Sequence, residues 1–470
     1  MKIKKDKIPV KQKIVYGMGS INDMWGDWLY PSMVWPVFNI FLHVNPTLVS
    51  LALMINRLVD GFTDPIFGWC SDNTRTRFGR RRPYILVGSI FAGICFPLLF
   101  IVSPSWSENT IFWYMVVSSG VMVTIVSSFN MPYQSLGNEM TPDYNEKTSV
   151  FAYKGVLQKV GEGAMFFASA FVTLSIFNDP NTGEPNVLFG ARVYAVIIGI
   201  SMIIIGVVLF VCLQERYYHK IVEKQKAKTS ISETLWKTLK CKPFFAQLAM
   251  ALSYGIGTSM VGSLGYYITI YYVCGGEVAL GSKWNFAMGI ANMIFGLLGV
   301  IFYSRLSFKI GKRHAMMAVQ FSAIVAFATS WFLYNPDFPW LQLLAAGSIA
   351  FTQGGFWMLC GALGADVIDY DELDSGKRRE GAFAACATYI MKVGLAIGLG
   401  LSGVVLSSTG FDAKLGKTQS PEALQSIRIL FLFVPIVGLL FSFLCLRKFG
   451  LSKEKMESIR LDLEAKRGSV

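Results

Sequence analysis

Charge is scarce in this chain. Asp, Glu, Lys and Arg supply only 16% of its 470 residues, against about 25% in ordinary soluble domains. Catalytic signatures are missing too: there is no HExxH, no GxSxG and no Walker loop. The polar tails at the two ends run to about 15 and 24 residues, too short for an appended signalling domain. Eight cysteines are scattered without a CxxC or paired spacing, so neither a disulfide framework nor a metal site is expected. The three histidines, His43, His219 and His314, fall near the ends of apolar segments and read as wetted interface residues. The basic start MKIKKDKIPVKQK runs into a full-length apolar segment with no small-residue cleavage site, so no removable signal peptide is read.

What is present is apolar length. The hydrophobic share is 53% and the mean hydropathy +0.46, and runs of about 20 residues, enough to cross ~30 Å of hydrocarbon, recur throughout. The pattern predicts 12 spans, near 17–43, 48–72, 83–104, 110–136, 148–177, 189–214, 244–274, 283–304, 314–334, 339–368, 381–409 and 425–446. A net charge of +13 raises nucleic acid as a partner, but the distribution argues otherwise. Roughly 35 of the 43 Lys and Arg fall on one side of these spans and about five on the other, which is the positive-inside pattern. The reading is a multi-pass protein of the cell inner (cytoplasmic) membrane, both termini cytoplasmic, with the lipid bilayer as a partner and no nucleic acid.

The longest polar stretch between spans, Arg216 to Lys242, separates six predicted helices from six. The expected organisation is a six-helix bundle over 1–215, a cytoplasmic loop over 216–242, a second bundle over 243–446 and a tail over 447–470. RFGRRRP from Arg77 and KIGKRHA from Lys309 lie 232 residues apart, each after the second helix of its half, a weak internal repeat. Two parallel six-helix halves are the arrangement of major facilitator transporters. The expected fold class is therefore all-α, with 12 transmembrane helices in two pseudo-symmetric bundles.

Within the second span, INRLVDGFTDPIFGW from Ile55 keeps three charges where each is costly. Asp60 and Asp64 are one helical turn apart, with Arg57 three residues before Asp60 on the same side. Two carboxylates so close must be relieved by a proton, a salt bridge or a cation. Pro65 frees the carbonyl of Gly61 and Thr63 adds a hydroxyl, so the segment offers oxygens for a small hard cation. A purely structural Arg57–Asp60 pair is the alternative. The first span carries Asp23 and Asp27 interleaved with Trp25, Trp28 and Trp35. That combination suits a sugar, or equally an interfacial tryptophan belt. Lys159 and Glu162 can pair with each other, whereas Lys392 has no acid within a turn and must find its partner on another helix.

Three blocks carry a resemblance: RLVDGFTDPIFGWCSDNTRTRFGRRRPY from Arg57, NMPYQSLGNEMTPDY from Asn130, and GADVIDYDELDSGKRREG from Gly364, followed by Lys392. In this order and spacing the chain resembles the glycoside-pentoside-hexuronide:cation symporter family over essentially its whole length. The resemblance implies that Asp60 and Asp64 are the paired carboxylates of the coupling-cation site. Thr63 and Ser127 would be further polar ligands, and Lys392 the lysine facing them. Trp357 would sit near the sugar cavity, with Thr388 on the same wall as Lys392. Two positions depart from the melibiose-type members, which use acids on the first and fourth helices: here Met24 and Asn130 stand there. Asp23 neighbours the first, but one residue is about 100° around a helix. Gln134 replaces an aromatic residue, and Lys154 lies beside the position of an arginine.

The expected function is inward symport of a glycoside with Na⁺ or H⁺ by alternating access, with no cofactor, no covalent chemistry and a monomer as the working unit. The loss of two acids, with Lys154 nearby, points to an acidic cargo: a hexuronide, glucuronide or sulfonated sugar. Asp23, Trp25, Asp27, Asn130, Gln134 and Lys154 are the expected sugar contacts in the first half. A lysolipid transporter of the same superfamily is the alternative, and a membrane sensor or enzyme a more distant one. Arg80 and Arg81 in the basic turn are expected to form a cytoplasmic gate with acids such as Asp143, Glu146, Asp371 or Glu372.

Overall fold

The computed structural model describes residues 7–140, 144–180, 183, 185–215, 240–375 and 380–467. Among these, regular structure is helical apart from one isolated bridge between Asn178 and Pro185. The chain divides into two compact units, Met1–Ala227 and Lys228–Val470.

The first unit begins with a long composite helix. α1 (Val10–Met24) passes into a π-helical turn at Trp25–Leu29, then α2 (Tyr30–Val34), then a second π-helical stretch at Trp35–Phe41. Pro31 accounts for the first irregularity, since it cannot donate a backbone hydrogen bond to the turn before it; the second recurs in the other unit at Ile268–Val273 without a proline. α3 (Pro46–Asn73) is capped by the Asn45 side chain on the Thr47 N–H and runs unbroken through Pro65. α4 (Arg82–Leu98), α5 (Glu108–Glu139), α6 (Tyr144–Val172) and α7 (Val187–Cys212) complete the unit. α4 and α7 cross closely at two glycines. A Cβ on Gly93 would stand 2.4 Å from the Gly199 carbonyl oxygen, and one on Gly199 would stand 2.2 Å from that of Gly93. Asn22 of α1 ties into the same seam, donating to the Met202 carbonyl at 3.0 Å.

The second unit has α8 (Lys242–Ser259), α9 (Leu264–Tyr267) with a π-helical end at Ile268–Val273, α10 (Val278–Ile310), α11 (Lys312–Leu333), α12 (Leu341–Ser375), α13 (Glu380–Ser408), α14 (Pro421–Arg447) and α15 (Lys453–Arg467).

The internal repeat is visible in backbone detail. Helix one ends with the Leu42 N–H on the Val37 carbonyl at 3.0 Å and the Val44 N–H on that of Phe38 at 2.9 Å. Each partner recurs 232 residues on, as Cys274 on Thr269 at 3.0 Å and Gly276 on Ile270 at 2.8 Å. The residue inside each turn has positive φ, His43 at 56° and Gly275 at 60°. Gly79 and Gly311, with φ of 103° and 83°, keep the same offset in the basic turns. Only glycine adopts such angles freely, so His43 is held there by the termination around it.

Eight helical segments among the described residues are long and apolar enough to cross a bilayer, fewer than the predicted 12. The other four predicted spans are helical but miss on length or composition. α4 has 17 residues, the first helix is divided into α- and π-helical pieces, and α3 and α6 carry the charges discussed next.

Candidate transport site

In α3, Arg57, Asp60 and Asp64 are 4%, 2% and 7% exposed. Arg57 Nη1 lies 3.5 Å from Asp60 Oδ2, so the local pairing predicted from their spacing forms. The other oxygen of Asp60 is reached from α5, where Ser127 Oγ donates to Oδ1 at 3.4 Å. Thr63 Oγ1 stands 2.8 Å from Ser127 Oγ. A hydroxyl chain therefore runs from Thr63 through Ser127 to the carboxylate. Carboxylate and hydroxyl oxygens from two helices make the donor set a hard cation takes.

Arg57 also leaves its own helix. Its Nη2 donates to the backbone carbonyl of Asp27, and its guanidinium lies over the Trp28 ring, 4.6 Å from the centroid. The carbonyl of Asp27 would accept from residue 31 in an α-helix, but Pro31 has no N–H. Proline at 31 thus explains both the π-helical turn and the acceptor that Arg57 occupies.

α5 presents its polar residues as a ladder. Ser127, Asn130 and Gln134 are three and four apart, hence on one face, and each meets a different acid. Ser127 meets Asp60, Asn130 Nδ2 donates to Asp27 Oδ1 at 3.2 Å, and Gln134 Nε2 donates to Asp23 Oδ1 at 3.2 Å. Asn130 Oδ1 is a buried acceptor without a hydrogen bond. Lys154 of α6 completes the group. Its ammonium is 3.4 Å from Asp23 Oδ2 and 5.3 Å from the Tyr133 ring centroid. Met24 turns away from this face to the Gln158 amide. Trp25 packs inward, its indole N–H on the Gly161 carbonyl at 3.0 Å, which leaves Trp28 as the more exposed tryptophan. Lys159 and Glu162 pair at 2.7 Å. Tyr133 and Trp28 were not singled out by sequence as ring partners of these cations, because only packing brings a cation over either face.

In the second unit, Trp357 of α12 is 40% exposed and braced edge-on by Tyr254 and Phe356, with centroids at 5.8 and 5.4 Å. Thr388 and Lys392 lie on α13, one turn apart, Thr388 exposed and Lys392 half-buried. Among the described residues, no group of three or more His, Cys, Asp or Glu converges as a resident metal site would require.

The model of the family described as MFS/sugar transport protein matches residues 15–453. The chain belongs to that family. Its relatives include the isoprimeverose transporter of Lactiplantibacillus pentosus, 24% identical over 99% of this chain and 93% of that protein. The glucuronide carrier protein homolog of Escherichia coli is 22% identical over 90% and 88%. The sodium-dependent lysophosphatidylcholine symporter 1-B of Danio rerio is 23% identical over 90% and 84%. Among solved structures, a bacterial homolog of the human lysosomal transporter Spinster matches with a TM-score of 0.65, 12% identity and 97% coverage of both chains. D-xylose-proton symporter matches with 0.61, 12% identity and coverage of 92% and 97%. The fold is that of a major facilitator transporter, and the resemblance read from the sequence blocks holds. This member of the sugar-transport family is a multi-pass membrane transporter and not an enzyme.

The basic turn of this sugar-transport protein has a partner that sequence reading overlooked. Glu215, at the end of α7, accepts the backbone N–H groups of Arg80, Arg81 and Arg82 at 3.1, 2.9 and 2.9 Å. It thereby caps the start of α4, where unpaired N–H groups and the helix dipole favour an anion. The Arg81 guanidinium also reaches Ser71 Oγ at 3.4 Å. Of the acids expected to meet the turns, Glu146 pairs with Lys13 at 2.8 Å, Asp143 lies outside the described residues, and Asp371 is buried on α12. In the second unit Lys312 pairs instead with Asp366 at 2.5 Å.

Proposed function

We propose that this protein moves a glycoside across the membrane by symport with Na⁺ or H⁺, through alternating access of its two six-helix halves. The observation that carries the reading is the hydroxyl chain Thr63–Ser127–Asp60 beside Asp64 and Arg57, an intramembrane acidic cluster built from two helices. Asp60 and Asp64 take the coupling cation with Thr63 and Ser127, and the lysine role that the resemblance implies falls to Lys392. Asp23, Asp27, Asn130, Gln134 and Lys154 are the sugar contacts proposed for the first unit, and Trp357 and Thr388 those proposed for the second. The proposal includes no cofactor beyond the transported cation. The relatives named for isoprimeverose and for glucuronide support a sugar cargo.

An acidic cargo is favoured by one feature: Lys154, 3.4 Å from Asp23 Oδ2, is a cation for which the carboxylate of a hexuronide or glucuronide, or the sulfonate of a sulfonated sugar, can compete. Against it stand the four acids Asp23, Asp27, Asp60 and Asp64. Uptake by proteoliposomes with and without an imposed Na⁺ or H⁺ gradient tests the symport. A panel of neutral glycosides, acidic glycosides and lysophospholipids assigns the cargo. Uptake indifferent to every cation gradient overturns the proposal, and gradient-driven lysophospholipid uptake without sugar uptake replaces it.

A further inference from the structure

α12 keeps a single exposed face along its middle. Between residues 345 and 370 the exposed positions are Gln353, Trp357, Gly361 and Ala365, each four after the last and hence one above another on the helix. Their composition separates this face from those that meet lipid. Over 429–444, α14 exposes Ile429, Phe433, Val437, Leu440, Phe441 and Leu444, all large and apolar, as contact with hydrocarbon requires. The α12 face offers an amide, an indole and two small residues instead.

Gln353 is the member of this face that burial in a bilayer does not explain. It falls at the centre of the span expected over 339–368, and its side chain makes no hydrogen bond or ion pair among the described residues. An exposed hydroxyl in a span can satisfy itself on its own helix, as Thr329 Oγ1 does by donating to the Val325 carbonyl at 2.9 Å. The Gln353 amide carries two N–H donors and an acceptor oxygen, which hydrocarbon cannot meet. An open amide at this depth therefore faces water or a polar ligand. One turn along the same face stands Trp357, already assigned to the sugar wall. A Cβ on Gly255 of α8 would stand 4.0 Å from Trp357 Cη2 and 3.5 Å from Met391 Cε, which places α13, the helix of Thr388 and Lys392, beside the same ring.

We propose that Gln353 is a specificity-determining residue for the cargo, its Nε2 donating to one sugar oxygen and its Oε1 accepting from a sugar O–H. This assignment rests on the sugar-symport reading and adds to it an uncharged contact. A neutral amide that both donates and accepts selects for the placement of hydroxyls, whereas a charged side chain selects for the charge of the sugar. A site built to bond a particular hydroxyl discriminates against the analogue that lacks it, because its own polar atoms are then left unpaired.

The test is calorimetric titration of the full-length chain, purified in detergent with NaCl, with the 4-nitrophenyl xyloside, galactoside and glucuronide, and then with the mono-deoxy analogues of whichever binds best. Gln353→Leu should weaken that glycoside about tenfold, as loss of one or two hydrogen bonds implies. One deoxy analogue should bind the wild type about tenfold less tightly than its parent, yet lose less than twofold on Gln353→Leu, because the partner is already gone. Thermal unfolding checks that the variant is folded. Gln353→Asn, whose amide falls one methylene short, should show the same loss of discrimination and serves in its place if Gln353→Leu does not fold. Wild-type affinity in the folded variant, or deoxy losses as large in the variant as in the wild type at every position, overturns the Gln353 assignment and leaves the sugar reading standing. A wild-type protein that binds none of the three glycosides overturns the sugar reading, and this assignment with it.

Discussion

Lys154 holds Asp23 across two helices, Nζ to Oδ2 at 3.4 Å, while Gln134 donates to the other oxygen of the same carboxylate at 3.2 Å. The expected sugar wall is thus internally neutralised at its most basic point. An acidic cargo must compete with Asp23 for Lys154, and a neutral cargo need not. Lys154→Gln should therefore weaken an acidic glycoside about tenfold or more and a neutral one by less than threefold. Competition against a bound reporter sugar measures both. Equal losses for the two classes mean that Lys154 only positions Asp23.

Asp64→Asn removes one of two buried carboxylates one turn apart. Accumulation driven by the cation should vanish, because a monovalent cation entering down 100 mV supplies about 2.3 kcal/mol, enough for roughly fifty-fold concentration. Sugar binding at equilibrium should persist. Retained uphill transport with unchanged Na⁺ and pH dependence would place the coupling site elsewhere.

Thr63 and Ser127 form one chain to Asp60, so their effects should not add. Ser127→Ala and Thr63→Ala are each expected to reduce cation affinity by about 1 kcal/mol, and the double variant by clearly less than the sum. Cation titration of sugar binding gives the three values. Simple additivity would separate the two hydroxyls.

Pro31 is expected to matter through what it lacks. Pro31→Ala restores a backbone N–H that competes with Arg57 for the Asp27 carbonyl, loosening the link between Asp60 on α3 and the helix that carries Asp23 and Asp27. The factor by which the cation raises sugar affinity should fall by about 0.5–2 kcal/mol, while each ligand alone still binds. If binding of either ligand alone is abolished, Pro31 shapes the site itself and is not a link between sites.

Glu215→Gln should lower thermal stability by about 1–3 kcal/mol, since three backbone donors lose a charged acceptor. Gly79→Ala should cost at least as much. Its φ is 103°, and the added Cβ would meet Glu215 Oε1 at 2.5 Å, a side chain pinned by those same donors. Tryptophan fluorescence during thermal unfolding reads both variants.

Much of this molecule was legible in its sequence because the relevant physics is local. The apolar runs, the Arg57–Asp60 and Lys159–Glu162 pairs and the 232-residue repeat all depend on spacing along one helix or on segment length. Tertiary structure alone decided the long-range partners: Ser127 on Asp60, Lys154 on Asp23, Glu215 on the basic turn. Each joins residues from different helices, so it depends on which helical faces pack together and on how far a π-helical turn rotates one face against the next. A shift of one residue, about 100°, would have sent Asp23 elsewhere, and nothing in local propensity sets that rotation; close packing of α1 against α5 and α6 does.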